Sequence, residues 1–335
     1  MYIIIPSYEP DQRLVDLVLE LKQKLSSANL IIVNDGSSEE YQTYFQKVGQ
    51  LGAVVLEHFN NKGKGAALKT AVRFIQEKDQ EAIMVTVDSD GQHLVPDILR
   101  VAQATQKNPD AITLGVRAFV GNVPLRSRFG NKVTALLFRL VTGQAVSDTQ
   151  TGLRGFSTKQ IPWLLQLDGE RFEYEFNMLL EVHKSDYTIK EVPIETVYLE
   201  DNKSSHFRPV QDSLRIYAPF LKFSSTAIMA AMIDALVLFL LMALTKNLLF
   251  SVITARVISA TSQCLLNANL VFKKTNQLFK SMMRYFMLVL VILACNYFLM
   301  KSLVAIGIWL VVAKILTESL LFVISYRVQR EHIFV

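Results

Sequence analysis

The chain of 335 residues is long enough for two domains, and 51% of it is hydrophobic with a formal net charge of +5. A positive mean hydropathy excludes an ordinary soluble enzyme and predicts that part of the chain enters lipid. The two cysteines, Cys264 and Cys295, both lie in apolar runs, which excludes a disulfide framework and a zinc pattern; no nucleic-acid partner is expected.

The opening "MYIIIPSYEP" has no basic n-region, and its apolar run is too short for a signal peptide, so the front half is expected in the cytoplasm. Five short β-branched runs follow one another and end in turn residues: "YIIIPSY", "NLIIVNDGS", "AVVLEH", "AIMVTVDSDG" and "AITLGVR". Helical stretches such as Asp11 to Leu25 and Lys64 to Gln76 lie between them. This alternation predicts a mostly parallel α/β sheet with its ligand crevice outside the carboxyl ends of the strands, where Tyr8, Asp35, Asp88 and Asp90 fall.

The fourth run is the most informative. In "VTVDSDGQH" two carboxylates stand one residue apart where a strand runs out, so Asp88 and Asp90 can point the same way. Two hard oxygen donors on one side suit a divalent cation. Read singly, each element has a plainer explanation: "NDGS" is turn chemistry, "NKGKGAA" is a glycine-containing loop without Walker or dinucleotide spacing, and Asp88 and Asp90 are solvated. Their occurrence in this joint order argues for one shared site over three separate plainer explanations.

Over roughly residues 1 to 210 the set "IIIPSYEP", "VNDGSSE", "NKGKGAALKTA" and "DSDGQH" resembles the GT-A domain of family 2 glycosyltransferases. "SDTQTGLRGF" and "RFEYEFNMLLEV" resemble the subgroup that makes polyprenyl-phosphate sugars, as dolichyl-phosphate mannose synthases do. The first motif departs from the usual P-x-Y-N-E, with Glu9 and Pro10 in the last two places. The resemblance implies a Rossmann-like GT-A catalytic domain, a nucleotide diphosphate sugar donor linked to UDP or GDP, and inversion at the anomeric carbon. It also implies Mg²⁺ or Mn²⁺ on Asp88 and Asp90, with the Gln92 amide as third ligand, and a donor site of Pro6, Tyr8, Asp35, Lys64 and Asp88.

For the acceptor, no Q-x-x-R-W motif of processive synthases is found. Arg117, Arg126 and Arg128 stand beside the amphipathic run "KVTALLFRLVTG". Guanidinium groups match phosphate oxygens in pairs, so this cluster suits a polyprenyl phosphate at the membrane surface, with Arg117 counted among the catalytic residues; a solvated basic face is the plainer alternative. Asp148 and Gln150 are candidates for the back of a sugar pocket and Arg154 for a phosphate contact, although "TGLRG" equally reads as a turn into a strand. Glu173 and Glu175 are two apart, so at most one of them reaches the site from a helix. In "KSSHFRPVQDSLR", Lys203, His206, Arg208 and Arg215 suit anionic headgroups.

Beyond about residue 220 four apolar segments reach bilayer length: Phe223 to Leu244, Leu248 to Phe272, Met282 to Met300 and Leu303 to Ser325. The basic stretches "FKKTNQLFKSMMR" and "YRVQREH" place the catalytic domain, the middle loop and the C-terminus in the cytoplasm, which predicts a multi-pass protein of the cell (inner or plasma) membrane. The expected boundaries are 1–210 for the catalytic domain, 211–222 for a juxtamembrane linker, 223–326 for an all-α domain of four transmembrane helices and 327–335 for a cytoplasmic tail. Asp234, Arg256, Lys314 and Glu318 are costly in hydrocarbon; Asp234 with Arg256 and Lys314 with Glu318 are the expected pairs, with Asn267 and Asn269 near the cytoplasmic end. The segment resembles the GtrA-like membrane family, linked to moving polyprenyl-linked sugars, so anchor and transporter both stay open. The reading is a metal-dependent hexosyltransferase to polyprenyl (undecaprenyl or dolichyl) phosphate. Its alternatives are a family 2 transferase acting on another membrane lipid or a cell-wall glycan, and a lipid-sugar flippase with a donor-binding domain. Homo-oligomerisation is left open.

Overall fold

The computed structural model describes residues 1–79, 81–117, 131–132, 134–136, 138–139, 142–182, 185–195, 214, 217–273 and 277–334. The chain divides into two compact units, one of residues 1–139 with 144–216 and one of residues 140–143 with 217–335.

The first unit is a seven-stranded sheet. Its elements are β1 (Tyr2–Ser7), α1 (Gln12–Lys24), β2 (Asn29–Asn34), α2 (Gln42–Gln50), β3 (Val54–Glu57), α3 (Lys64–Lys78), β4 (Ile83–Thr86), α4 (Val95–Lys107), β5 (Ala111–Arg117), β6 (Arg154–Ser157), α5 (Ile161–Gln166), α6 (Glu173–Val182) and β7 (Thr188–Ile194). The strand order is β3-β2-β1-β4-β6-β5-β7. Among the described strands only β6 runs antiparallel, between β4 and β5, so the sheet is mostly parallel as the alternating pattern predicts. Parallel strands covered on both faces must be apolar on both, and β1 is buried along its whole length. Ile3, Ile5, Leu30 and Ile32 meet Leu14, Val18 and Leu21 of α1 and Ile98 and Val101 of α4. Ile4 and Ile31, of opposite parity, face the side on which α3 packs against β1 and β2.

The crevice opens where the strand order reverses, between β1 and β4. The β1–β4 register stops at Ile4 opposite Thr86, with one further bond from Val87 N to Ile4 O at 2.9 Å. The β1–β2 register runs on to Ser7 opposite Asn34. Alternate residues of a parallel strand bond to opposite neighbours, so the next β1 residue facing β4 is Pro6, which has no N–H to offer. The two strands separate there without leaving a donor unpaired, which makes the switch-point crevice that such sheets use for ligands.

The second unit is helical: α7 (Ala218–Thr245), α8 (Leu248–Leu266) continuing as a π-helical turn over Asn267–Val271, α9 (Leu278–Ala305), and α10 (Leu310–Val328) continuing as a second π-helical turn over Gln329–Ile333. The stretches Ala218–Thr245, Leu248–Val271 and Leu278–Ala305 are long and apolar enough to cross a bilayer. The fourth helix has 19 residues and carries Lys314, Glu318 and Arg327. Two expectations change. The third turn falls not at Lys301–Ser302, which α9 passes through, but at Gly307, whose φ of 88° a residue with a side chain rarely adopts. Residues 327–334 are no tail: they extend α10, the Ile333 carbonyl accepts from Ser281 Oγ at 2.9 Å, and Phe334 stacks on Phe272.

The unit is built from two similar hairpins. α7 and α9 each have 28 residues, and α8 and α10 each have 19 before a five-residue π turn. Asn267 and Gln329, which open the two π turns and lie 62 apart, bond to each other at 2.8 Å. At the same spacing, Asp234 beside Arg256 (3.4 Å) recurs as Asn296 on Glu318 (2.9 Å). Lys314 pairs with Glu318 one turn away, as expected. Asn267 is fully buried and also accepts from Thr226 Oγ1 at 2.5 Å, so it ties α7, α8 and the end of α10 together. Replacing it with Leu is expected to destabilise the unit by about 1–2 kcal/mol, seen as a lower melting temperature in detergent. An unchanged melting temperature would make this seam dispensable.

Candidate active site

Three loops leave the carboxyl edge of the sheet and meet the start of α3. The first holds Asp35, 3% exposed, whose carboxylate accepts from His58 Nδ1 (2.7 Å), Lys62 N (3.0 Å) and Gly63 N (2.7 Å). His58 is fixed in turn by Thr70 Oγ1 at 2.8 Å. Asp35 therefore shapes the 58–63 loop and sets the residue that follows it, Lys64, at the first position of α3. Pro6 is buried in β1 and Tyr8 is half-buried just beyond it.

Asp88 lies at the centre. Lys64 Nζ is 2.7 Å from its Oδ1 and 2.9 Å from Glu175 Oε2, while His93 Nε2 sits 3.3 Å from its Oδ2. Burial opposes the Asp88 charge, but Lys64 and then His93 outweigh it and hold the carboxyl well below the usual carboxylate range. Burial likewise opposes the Lys64 charge, and Asp88 and Glu175 overcome it, so the ammonium stays protonated. Asp90 behaves differently: burial and then the neighbouring Asp88 charge push its carboxyl up, although Gln92 N donates to its Oδ1 at 3.1 Å.

A divalent cation fits this donor set. Two hard carboxylates are held close enough that one raises the other, a repulsion that added positive charge at the pair would relieve. Among the described residues no three His, Cys, Asp or Glu side chains form a closed cage. A cation held by the two carboxylates would have phosphate oxygens and water at its other positions, as Mg²⁺ commonly does.

Arg117, the last residue of β5, and the residues leading into β6 come next. Arg117 makes a two-pronged ion pair with Asp148, Nε to Oδ2 at 2.6 Å and Nη2 to Oδ1 at 2.9 Å. Asp148 is fully buried, and Arg117 keeps 15% of its side chain exposed. Arg154 is turned inward: its guanidinium donates to the carbonyls of Thr151 (2.9 Å), Glu175 (2.7 Å) and Thr149 (3.4 Å), so in this structure it braces α6 rather than facing a phosphate. Burial lowers its pKa, partly offset by Glu175. "TGLRG" does lead into a strand, β6.

Of the acidic pair on α6, one reaches the site. Glu175 meets Lys64, whereas Glu173 caps the helix start by accepting from Glu170 N and Arg171 N. Two site residues, His93 and Gly152, have no counterpart among the sequence candidates, and the pairing of Glu175 with Lys64 is not among the sequence readings. A Cβ on Gly152 would lie 2.1 Å from Asp88 Oδ2. Arg126, Arg128, Lys203, His206, Arg208 and Arg215 lie outside the described residues.

The profile of Glycosyl transferase family 2 matches residues 2–160, and that of the GtrA/DPMS transmembrane domain matches residues 222–334. The UDP-N-acetylglucosamine–dolichyl-phosphate N-acetylglucosaminyltransferase of Methanococcus voltae is 31% identical over 219 residues, 60% of this chain and 86% of that protein. An uncharacterised protein of Methanocaldococcus jannaschii is 28% identical over 209 residues, 61% of this chain and 84% of that protein. Glucosyl-3-phosphoglycerate synthase from Mycobacterium tuberculosis, crystallised with phosphoglyceric acid, aligns with a TM-score of 0.49 at 14% identity, over 66% of this chain and 77% of that chain.

Proposed function

Because the chain belongs to glycosyltransferase family 2 and carries a GtrA/DPMS transmembrane domain, we propose that it moves a hexose-type sugar from a nucleotide diphosphate to a polyprenyl phosphate. The observation that carries this reading is the presence in one chain of a carboxylate crevice at a sheet switch point and an apolar helical unit of the GtrA/DPMS type. A soluble acceptor would need no such unit, whereas a lipid phosphate is confined to the bilayer surface. The Methanococcus relative, by its name, acts on dolichyl phosphate.

Asp88 and Asp90, with the Gln92 amide, are assigned to hold Mg²⁺ or Mn²⁺, which when bound neutralises the diphosphate leaving group as a Lewis acid. Pro6, Tyr8 and Asp35 are assigned to the nucleoside and Lys64 to the donor phosphates, with UDP and GDP both admitted. Arg117, held flat by Asp148, is assigned to the acceptor phosphate together with Arg126 and Arg128. That phosphate is already ionised at neutral pH, so no strong general base is required, and attack at the anomeric carbon is a single inverting displacement. The boundaries 1–210 and 211–222 are kept for the catalytic domain and linker, and the membrane domain is taken from 223 to 334, with the end of α10. The catalytic domain is assigned to the cytoplasmic side, by the charge of the 273–284 and 327–332 stretches.

The test is a panel of radiolabelled nucleotide sugars given to the purified protein with polyprenyl phosphate. Label is expected in the organic phase, in an acid-labile lipid; label appearing only in a glycan, or in no lipid, overturns the reading. In the same assay Arg117→Ala is expected to raise the acceptor KM or lower kcat by about 10- to 100-fold, the loss of one charge-assisted contact of roughly 1.5–3 kcal/mol. Donor affinity should change far less. An equal loss of nucleotide affinity would move Arg117 to the donor side.

A further inference from the structure

We infer that Lys64 is the resident counter-ion of the cation-free site, competing with the divalent cation for Asp88, and that Glu175 is the carboxylate that receives Lys64 when the cation enters. The inference rests on the assignment of the cation to Asp88 and Asp90.

Lys64 Nζ lies between two carboxylates, 2.7 Å from Asp88 Oδ1 and 2.9 Å from Glu175 Oε2. With His93 on Oδ2, both oxygens of Asp88 already have donors. A cation reaching Asp88 has only the remaining lone pairs to use, and the ammonium fixed beside it repels it through a poorly screened, largely buried environment. Lys64 has somewhere to go. Glu175 Oε1 is buried with no hydrogen-bond partner, and the nearest guanidinium nitrogen, Arg154 Nε, is 3.9 Å away. Glu175 is itself anchored, because Arg154 Nη1 holds its backbone carbonyl at 2.7 Å. The ammonium can therefore shift toward Glu175 and remain paired.

This arrangement couples the two ligands of the site. The cation alone binds against Lys64, while a nucleotide diphosphate brings negative charge that draws Lys64 off Asp88 and favours the cation. By linkage the cation tightens nucleotide binding by the same factor. Lys64 follows Gly63 directly, and Gly63 N is bonded to Asp35 Oδ2, so the counter-ion is also tied by one residue to the proposed nucleoside contact.

The test measures Mn²⁺ affinity of the full-length protein in detergent by electron paramagnetic resonance of free Mn²⁺, without nucleotide and then with UDP or GDP. Without nucleotide, Lys64→Met is expected to bind Mn²⁺ more tightly than wild type, by roughly 5- to 150-fold, the usual size of a coupling between sites. Its gain on adding nucleotide should shrink to the part that comes from direct ligation by the phosphate oxygens. Glu175→Gln should shift the other way, because it leaves Lys64 committed to Asp88, and its Arg154 contact survives through the backbone carbonyl. Lys69→Met is the control: its ammonium sits on the same helix but bonds the Leu167 and Gly169 carbonyls, so Mn²⁺ affinity should not move. A Lys64→Met affinity equal to or weaker than wild type, with Asp90→Asn still abolishing binding, overturns the inference alone. Binding that is the same in wild type and Asp90→Asn removes the cation assignment and the inference with it.

Discussion

Replacing Asp88 or Asp90 with Asn is expected to leave a folded, membrane-inserted protein that no longer transfers sugar. The two carboxylates stand on a loop at the edge of the sheet, and the core beneath them is formed by Val85 and Val87, which neither change touches. What is lost is the charge that would hold the cation against the leaving diphosphate. A Lewis-acid contribution of about 4 kcal/mol corresponds to roughly a thousandfold in rate, so residual turnover should sit near the limit of detection. Asp90→Asn carries a second signature. Its carboxyl is pushed up by burial and by Asp88, so removing its charge relieves strain in the ion-free site. Melting temperature should hold or rise while activity disappears, the usual mark of a site kept at the expense of stability. EDTA should silence the wild type in the same way, and full activity in EDTA would remove the metal from the mechanism.

How much of this was legible before the structure follows from the range of the interactions. β1 to β5 announce themselves because each is a short β-branched run closed by turn residues, a local signal. β6 is announced only by the turn before it: Arg-Gly-Phe-Ser has neither alternation nor an apolar run, and it is a strand because β4 and β5 flank it on both sides. The Asp88-x-Asp90 pair is legible for the same local reason, while its partners are not. Lys64 reaches Asp88 from α3, Glu175 reaches Lys64 from α6, and His58 reaches Asp35 across 23 residues. Arg154 misleads because arginine is rarely buried, and here three backbone carbonyls and a glutamate make an interior position tolerable. In the membrane unit charge misplaces one turn: Lys301 reads as a loop residue, yet α9 continues past it until Gly307 permits the reversal.

Gly152→Ala is expected to disable the site as severely as a lost contact, although it removes nothing. Gly152 has no left-handed backbone to protect, since it is absent from the residues with positive φ, so alanine brings no conformational strain of its own. Space is the obstacle. The new methyl would fall 2.1 Å from Asp88 Oδ2 and 2.5 Å from Asp88 Cγ. The loop cannot retreat easily, because Thr86 Oγ1, at the end of β4, donates to the Gly152 carbonyl at 2.8 Å. The carboxylate has to move instead, and with 31% of its side chain exposed it has the crevice to move into. A displacement of about 1 Å at a reacting group costs on the order of a hundredfold, so kcat should fall by at least that much and Mn²⁺ affinity should weaken with it. Stability should fall only modestly, because the pairing that Asp88 loses with Lys64 and His93 is partly offset by the restriction that alanine places on the unfolded chain. Gly155→Ala makes the contrast: its methyl would fall 1.9 Å from Thr105 Oγ1 inside the core, so there the damage should appear in the melting temperature. A Gly152→Ala enzyme with kcat close to wild type would mean that Asp88 tolerates displacement and that its position, as distinct from its charge, is not what this loop is built to fix.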